Sequence, residues 1–300
     1  MRERDLDEFE SMFRRAIIPT IEVEKIGLDS ILLLADFGEL TPACGIVAGR
    51  LAERFGASVS TCFFLHLEDR EERDRAQRVL DTLPGSGPGN GGEIRVGDPI
   101  VELPKLIAER RPGAIVAPEP FHLHCDPNER DLLDSLLIAT PIPTLLIRNT
   151  EVDEIFTNIV AKIPGGRTDL IEQFSLAFAL CEKGGRVELL HVLEQARLQE
   201  LVDLLEITPE IDTEQGAAGL LSAAKSRMDH LLKGAVRVAD EAAFDVVADL
   251  RVGDPFVILP EVARDCSLLI LGSQAAHTEF LESRAYALMK AVPGVHVLAL

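Results

Sequence analysis

The sequence contains no tryptophan and only one tyrosine in 300 residues, although it has thirteen phenylalanines. Aromatic platforms on which nucleic-acid bases could stack are therefore scarce. The formal net charge of −20 also repels phosphate backbones and anionic membrane surfaces. We expect neither a nucleic acid nor a membrane as a partner of this chain.

Paired cysteines and long apolar runs are missing as well. The five cysteines are scattered singly, and no Cys-x-x-Cys pair occurs, which argues against a disulfide framework and favours a reducing compartment. The opening stretch MRERDLDEFESMFRR is charged throughout, and no run approaches the roughly eighteen apolar residues that a membrane span needs. We expect a soluble cytoplasmic protein that inserts into no membrane.

What the sequence does contain is an internal repeat. RVGDPIVELP begins at Arg95 and RVGDPFVILP begins at Arg251, 156 positions later, with eight of the ten residues identical. A segment that recurs at a fixed offset is the signature of a duplicated unit. Because the chain is also long for a single domain, the repeat predicts two domains.

Each half shows alternating strand and helix patterns. The run ILLLAD from Ile31 is continuously apolar, as expected of a strand buried on both faces of a parallel sheet. Thr41 is then predicted to cap a helix that carries Ile46 and Val47 on its apolar face, and Gly56 is predicted to end it. The order βαβαβαβαβ follows, and the second half repeats it with a helical insertion to about Gly234.

This alternation predicts an α/β fold of two tandem Rossmann-like doubly wound domains, each with a five-stranded parallel sheet. The boundaries are residues 1–28 for an N-terminal extension, 29–150 for the first domain and 151–300 for the second. The last strands, TLLIRN and VHVLAL, are expected at sheet edges, where exposed backbone groups seek partners. We expect the protein to associate with itself there, either between its two halves or with another copy in a homodimer.

The repeated segment has a structural interpretation that is sufficient by itself. Its glycine lets the chain turn off a strand, its aspartate caps a helix, and the proline that follows suits the first helical turn. The residues in these roles are Gly97, Asp98 and Pro99, and again Gly253, Asp254 and Pro255. A second proline, Pro104 or Pro260, removes a hydrogen bond one turn later, so we expect a kink or a later helix start there.

At this point the chain resembles a known family, the tandem universal stress proteins, over about residues 29–300. The segments that carry the resemblance are ILLLADFGE, NIVAKIPGG, VGDP twice, LLHV, LLILGSQ, ATPIPTLLI and AVPGVHVLAL. None of these motifs is very specific alone, whereas their order, repeated twice, is. The resemblance implies two universal-stress-type domains and a role in stress physiology.

The resemblance also implies where a nucleotide would bind. Members that bind nucleotides place a strand-one aspartate near the adenine and cradle phosphates with the N–H groups of a Gly-x2-Gly-x9-Gly-Ser/Thr loop. Asp36 stands at the adenine position of the first half, but Pro118 replaces the first glycine there. In the second half Gly272 and Ser283 match the loop, whereas Pro164 stands where the aspartate would be. The resemblance therefore implies degenerate nucleotide sites.

The remaining candidates for ligand binding lie mostly in the second half. The loop KIPGGR supplies Lys162 and Arg167, whose charges could offset the missing glycines. The tentative set is Asp36, Lys162, Gly165, Gly166, Arg167, Gly272, Ser273 and Ser283. The alternative is that these residues only form turns and helix caps.

The loop FHLHCDP brings together candidate metal ligands, His122, His124 and Cys125. Imidazole and thiolate suit zinc or copper. No second spaced pair accompanies them, so we interpret the segment as a surface loop and expect no metal.

We predict a non-enzymatic stress-response or regulatory protein that acts by ligand sensing or protein contacts, without catalytic residues or a cofactor. No Gly-x-Ser-x-Gly elbow occurs, which disfavours hydrolase chemistry. One alternative is a regulator that binds ATP or AMP in its second domain. The other is a cytoplasmic regulatory module of a transporter or a kinase.

Overall fold

The computed structural model describes residues 27–84, 92–121, 142–163, 170–195, 199, 213–272, 284–292 and 294–299. Within these ranges the chain forms ten strands and seven helices. They follow the predicted alternation except between the last two strands of the first half, where the helix predicted near DLLDSLLIA lies outside the described residues. Residues 1–26 of the predicted extension lie outside the described part.

The described residues of the first half form five strands and three helices. They are β1 (Ser30–Ala35), α1 (Thr41–Phe55), β2 (Ser58–Leu65), α2 (Arg70–Leu80), β3 (Glu93–Val96), α3 (Pro99–Arg110), β4 (Ala114–Pro118) and β5 (Thr144–Ile147). Strand β1 is apolar without alternation because both of its faces are covered: Ile31 and Leu33 pack into one core, and Leu32 and Leu34 into the other.

The second half repeats this order and has a fourth helix between its last two strands. Its elements are β6 (Asn158–Ile163), α4 (Leu170–Leu180), β7 (Arg186–Glu194), α5 (Thr213–Ala242), β8 (Asp245–Gly253), α6 (Pro255–Ala263), β9 (Leu268–Leu271), α7 (Arg284–Ala291) and β10 (His296–Ala299). The helix of the insertion, α5, continues past Gly234, where the sequence pattern placed its end, to Ala242. Among the helices that the structure describes, none combines the length and the apolar character needed to cross a bilayer.

All ten strands belong to one sheet in the order β3-β2-β1-β4-β5-β10-β9-β6-β7-β8. Neighbouring strands are parallel within each half. The exception is the central pair, in which β5 and β10 run antiparallel with Leu145 opposite Leu298. The predicted fold class is therefore confirmed, and the last strands of the two halves pair with each other within one chain.

Apolar side chains fill a core on each face of the sheet. Helices α1, α2, α4 and α5 cover one face, and α3, α6 and α7 cover the other. Fully burying one Leu, Ile or Phe side chain contributes roughly 1.5–3 kcal/mol, so these two cores supply most of the driving force for folding. They also hold the carboxyl ends of the strands in fixed positions.

Helix α1 differs from its sequence-based description in two respects. It begins at Thr41, and no side chain caps it, because the Thr41 hydroxyl is engaged by Asp36. Ile46 is 50% exposed, whereas Val47 is buried, so the apolar face is narrower than predicted. Gly56 ends the helix at φ 67°, as predicted.

The RVGDP repeat has the same local structure in both halves. Gly97 and Gly253 adopt φ values of 140° and 155°, which residues with a Cβ rarely adopt. Asp98 and Asp254 each accept a hydrogen bond from the main-chain N–H two residues on, at 2.9 Å. The predicted helix caps are therefore confirmed.

The arginine and the second proline complete the repeat. Arg95 and Arg251 pair with the acidic residue two positions earlier, at 2.8 and 2.7 Å. Pro104 and Pro260 lie inside helices that begin at the first proline of each repeat. Of the two expected outcomes, a kink or a later helix start, the later start is wrong, because both helices begin at the first proline and continue through the second.

Side chains of α1 join the first half to the second. Arg50 donates to the main-chain oxygen of Val152 at 2.6 Å and pairs with Glu182. Arg54 donates to the main-chain oxygen of Cys181, at the carboxyl end of α4. Since a positive charge at this end of a helix satisfies its last carbonyls, the first half stabilises a helix of the second.

Candidate ligand site

Strand order reverses between β1 and β4 in the first half and between β6 and β9 in the second. Doubly wound folds bind ligands outside the carboxyl ends of the strands at such points. The described candidates from the sequence lie there: Asp36 follows β1, Lys162 belongs to β6, and Gly272 follows β9.

Asp36 is buried and bound by its own loop. Only 2% of the residue is exposed. One oxygen of its carboxylate accepts hydrogen bonds from the Thr41 hydroxyl at 2.6 Å and from the Gly38 N–H at 2.8 Å. The Asp36 N–H in turn donates to the Thr41 Oγ1 at 3.0 Å. The Asp36 carboxylate therefore holds the turn between β1 and α1.

The next residue, Phe37, covers the carboxyl end of β1 and β2. Its ring packs against Phe63, with centroids 4.5 Å apart, and the guanidinium of Arg75 lies 4.2 Å above it. A cation over an aromatic face is attracted by the ring quadrupole. This cluster was not predicted from the sequence, because Arg75 and Phe63 lie far from Phe37 along the chain.

An ion pair occupies the carboxyl end of β4. Glu119, the first residue after that strand, lies 2.6 Å from Nε of Arg148, and the two side chains are 14% and 6% exposed. Lys290 of α7 approaches the other carboxylate oxygen of Glu119 at 3.8 Å. Arg148 also donates to main-chain oxygens at the end of α7, among them that of Met289 at 3.0 Å. This network links the first half to the second.

Glu119 and Arg148 were also missed by the sequence analysis, although a signal exists. Each directly follows a short buried strand, and Pro118 of β4 lies opposite Ile147 of β5 in register. Parallel strands that end in register place the residues that follow them side by side. Opposite charges immediately after AIVAP and TLLI therefore predict an ion pair.

These contacts do not fit a phosphate group in the first half. Pro118 has no N–H to offer, and the carboxylate of Glu119 would repel an anion placed next to it. Two described cations, Arg148 and Lys290, contact Glu119, and both are engaged with its carboxylate. The first half thus carries its own internal anion where the resemblance implies a phosphate loop.

The second half has a different arrangement at the carboxyl ends of the corresponding strands. Lys162 is half-buried and lies opposite Leu190 of β7 and Leu271 of β9 in register, and Gly272 follows Leu271 directly. The residue 128 positions earlier, at the same place in the first half, is Leu34, which is fully buried. A basic side chain thus replaces an apolar one in the second half, beside a residue without a Cβ. Both features are compatible with an anion.

The other predicted residues lie outside the described part of the chain. They are Gly165, Gly166, Arg167, Ser273 and Ser283 of the ligand set, and His122, His124 and Cys125 of the candidate metal site. Among the described residues, no group of three or more His, Cys, Asp or Glu side chains is placed to hold a metal ion.

The described cysteines are all buried, and none is suited to be a nucleophile. Burial raises the pKa of Cys181 to about 11 and that of Cys266 to about 12, and it raises the pKa values of Cys44 and Cys62 as well. Since the thiolate is the reactive form, these side chains stay neutral and pack as small apolar groups.

His296 lies buried at the junction of the halves. Its Nδ1 accepts a hydrogen bond from the Arg148 N–H at 3.3 Å, and its Nε2 donates to the main-chain oxygen of Glu151 at 3.2 Å. Burial lowers the pKa of His296, and the charge of Arg148 lowers it further, against the opposing effect of the hydrogen bond to Glu151. The ring is therefore neutral, because a proton on Nδ1 would face a donor.

Comparison with known proteins gives results for structure only. Neither a protein-family model nor a curated protein sequence matches the chain. A universal stress protein from Archaeoglobus fulgidus DSM 4304 aligns with 91% of this chain and 96% of its own, with a TM-score of 0.57 and 14% identity. A functionally unknown protein from Pseudomonas aeruginosa PAO1 aligns with 91% of this chain and 92% of its own, with a TM-score of 0.54 and 15% identity.

A third solved structure, from Pseudomonas aeruginosa UCBPP-PA14, is provisionally named a universal stress protein. It aligns with 91% of this chain and 93% of its own, with a TM-score of 0.55 and 15% identity. The fold thus defines a tandem, doubly wound α/β protein in which strand order reverses once in each half; we call the place outside the strand ends at each reversal a crevice. Within that class the chain has the universal stress protein fold, and the resemblance predicted from the sequence is confirmed at the level of the fold.

Proposed function

We propose that this chain is a non-enzymatic regulatory protein of the stress-response kind, which acts through ligand sensing or protein contacts and has lost nucleotide binding in its first half. The fold supports the family, and the contacts of the first crevice support the loss. The described cysteines are neutral and buried, which is compatible with a protein that does no covalent chemistry.

The observation that carries this proposal is the internal anion of the first half. Glu119 lies at the carboxyl end of the fourth strand, where the resemblance implies a phosphate loop, and it is bound by Arg148 at 2.6 Å and Lys290 at 3.8 Å. A nucleotide would have to displace a buried ion pair, and separating such partners typically costs about 3–5 kcal/mol. The family's anion cradle has become a structural contact between the halves.

A thermal-shift titration with ATP, ADP and AMP, with and without Mg²⁺, tests the proposal. A ligand at a hundred times its Kd stabilises a protein by about 2.7 kcal/mol, which raises the melting temperature by several degrees. We expect no shift with any of the three nucleotides. A nucleotide-dependent shift that survives Lys162→Leu would place the ligand elsewhere than the second crevice and contradict the proposal.

A second candidate function is an ATP- or AMP-binding regulator that uses the second half. The observation that favours it is Lys162, which stands beside Gly272 at a position where the first half has Leu34. Lys162→Leu is the matched variant because it restores the side chain of the first half. If this candidate is right, the wild type shifts with nucleotide, and both Lys162→Leu and Ser283→Glu abolish the shift.

A further inference from the structure

Strand β8 ends the sheet on the side of the second half. All nine of its residues, Asp245–Gly253, lie in register with β7. Within the described part of the chain, no strand pairs with its outer side. At the opposite end of the sheet, the edge strand β3 has four residues, Glu93–Val96. A long edge strand presents a row of main-chain donors and acceptors to any partner.

The backbone of β8 faces outward at the even-numbered residues. The Asp245 N–H donates to the main-chain oxygen of Gly185, which directly precedes β7, at 2.9 Å. Since successive residues of a strand direct their N–H and C=O groups to opposite edges, the odd-numbered residues of β8 bond to β7. The residues that offer main-chain groups to a partner are Val246, Ala248, Leu250 and Val252.

The side chains of β8 divide by face in the same alternation. Val246, Ala248 and Leu250 pack against the core that α1 and α5 cover. The charged residues are all odd-numbered: Asp249 binds Arg251 at 2.7 Å, and Asp245 is exposed. One face of this edge is therefore apolar and the other carries charges of both signs.

A second copy of the chain complements this pattern in one register above others. If two β8 strands pair antiparallel about a two-fold axis at Ala248, Asp245 of each copy lies opposite Arg251 of the other. Val246 then lies opposite Leu250, so the apolar face continues across the contact. Cross-strand pairs of opposite charge or of apolar residues each contribute roughly 0.2–1 kcal/mol.

Neighbouring registers are less favourable. An axis at Val247 places Asp245 opposite Asp249, and an axis at Asp249 places that carboxylate opposite itself, so both bring like charges together. An axis at Leu250 matches Asp249 with Arg251 but leaves Asp245 without a cation across the contact. The axis at Ala248 keeps the Asp249–Arg251 pair within each chain and adds two Asp245–Arg251 pairs between the chains.

Exposed apolar side chains lie at the carboxyl end of the same edge. Val252 of β8 and the first residues of α6, Phe256 and Val257, are 45%, 38% and 58% exposed. A partner strand laid along β8 would bring these residues next to the start of the partner's own β8 and remove them from water. The strands β5 and β10 pair with each other, so they offer no free edge for such a contact.

We propose that β8 is an interaction surface for a second copy of this chain, paired antiparallel about a two-fold axis at Ala248. The sheets of two copies then join into one continuous sheet. This homodimer is independent of the proposed function, because it involves neither crevice.

Light scattering and one designed cysteine test the proposal. The 300-residue chain, of 32.8 kDa, should scatter as a dimer. Two Ala248 residues would form a hydrogen-bonded antiparallel pair, whose Cα atoms lie about 5.5 Å apart, within the range that a disulfide spans. Ala248→Cys should therefore form a covalent dimer under mild oxidation, and the wild type, with its own cysteines, should not.

A charge reversal supplies the second arm. Asp245→Arg places an arginine opposite Arg251 and should yield a folded monomer with the far-UV circular dichroism spectrum of the wild type. Asp240→Arg, an equal charge change on the exposed end of α5, should leave the dimer intact. A monomeric wild type would overturn the proposal and show that the charges protect the edge. Cross-linking of Leu250→Cys in place of Ala248→Cys would overturn the register.

Discussion

Replacing Arg148 by methionine should destabilise the protein more than a substitution at an exposed position does, because it removes the main partner of the buried Glu119 carboxylate. In the wild type Arg148 is 6% exposed and lies 2.6 Å from Glu119. Methionine keeps much of the apolar stem but leaves Glu119 with Lys290 at 3.8 Å. Removing one partner of a buried pair costs about 3–5 kcal/mol, and the remaining lysine favours the lower end, about 3 kcal/mol.

The same substitution removes hydrogen bonds to the last turn of α7. Arg148 donates to the main-chain oxygen of Met289 at 3.0 Å, and each lost bond to a charged donor costs about 1.5–3 kcal/mol in the absence of water. Since water reaches the partly exposed end of α7 in the variant, we keep the total at about 3 kcal/mol.

Urea-induced unfolding, followed by far-UV circular dichroism at neutral pH, measures this loss. Arg73→Met is the matched control, because Arg73 pairs with Glu68 at 3.5 Å with both side chains exposed, and such pairs contribute about 0–1 kcal/mol. Adding Glu119→Leu to Arg148→Met should restore part of the stability. A loss below about 1 kcal/mol for Arg148→Met, equal to the control, would refute the reasoning.

Four further substitutions test other parts of the structure. The lowered pKa of His296, caused first by burial and then by Arg148, means that the folded state resists protonation. Stability should therefore fall as pH drops from about 6.5 to the folded pKa and stay level below it, and His296→Gln should flatten this dependence in pH-dependent melting curves. Gly185→Ala should cost about 1–3 kcal/mol, because its Cβ would lie 2.7 and 2.9 Å from main-chain oxygens. Gly49→Ala in α1, where an added Cβ would meet no atom within 4 Å, should stabilise by about 1 kcal/mol. Urea midpoints measure both changes. Asp98→Ala should cost about 1 kcal/mol through the lost cap of α3, and a loss near zero in the same assay would contradict the capping role.

The fold could be predicted because its signals are local and repeated. The continuous run of β1, the Asp98 cap and the Gly56 stop each express a preference of a few neighbouring residues, and the echo at Arg251 shows that the same unit occurs twice. Agreement between local preference and overall arrangement is what a foldable sequence requires.

The contacts between the halves could not be predicted in the same way. Arg50 reaches Val152 and Glu182 across more than a hundred residues, and no periodic pattern links such positions. Thr41 is a residue type that commonly caps helices, yet its hydroxyl binds the buried carboxylate of Asp36, 5 residues earlier in the chain. Tertiary contacts override local preference where a buried charge needs a partner.

In the candidate site, the positions of the residues could be predicted from the sequence, but their contacts could not. Asp36, Lys162 and Gly272 lie at the predicted edges because strand ends are readable from the sequence. That Asp36 is engaged by Thr41 and Gly38 depends on the conformation of one turn. The ligand potential of this fold therefore depends on contacts that the residue types alone do not specify.

The account depends most directly on whether the first crevice is closed to nucleotides by the Glu119–Arg148 pair. Mass spectrometry of the small molecules released from protein freshly purified from cells is the most direct measurement. We predict that no adenine nucleotide is bound to the first half, either as purified or after incubation with ATP and Mg²⁺. Two equivalents of nucleotide per chain, one in each half, would contradict the account.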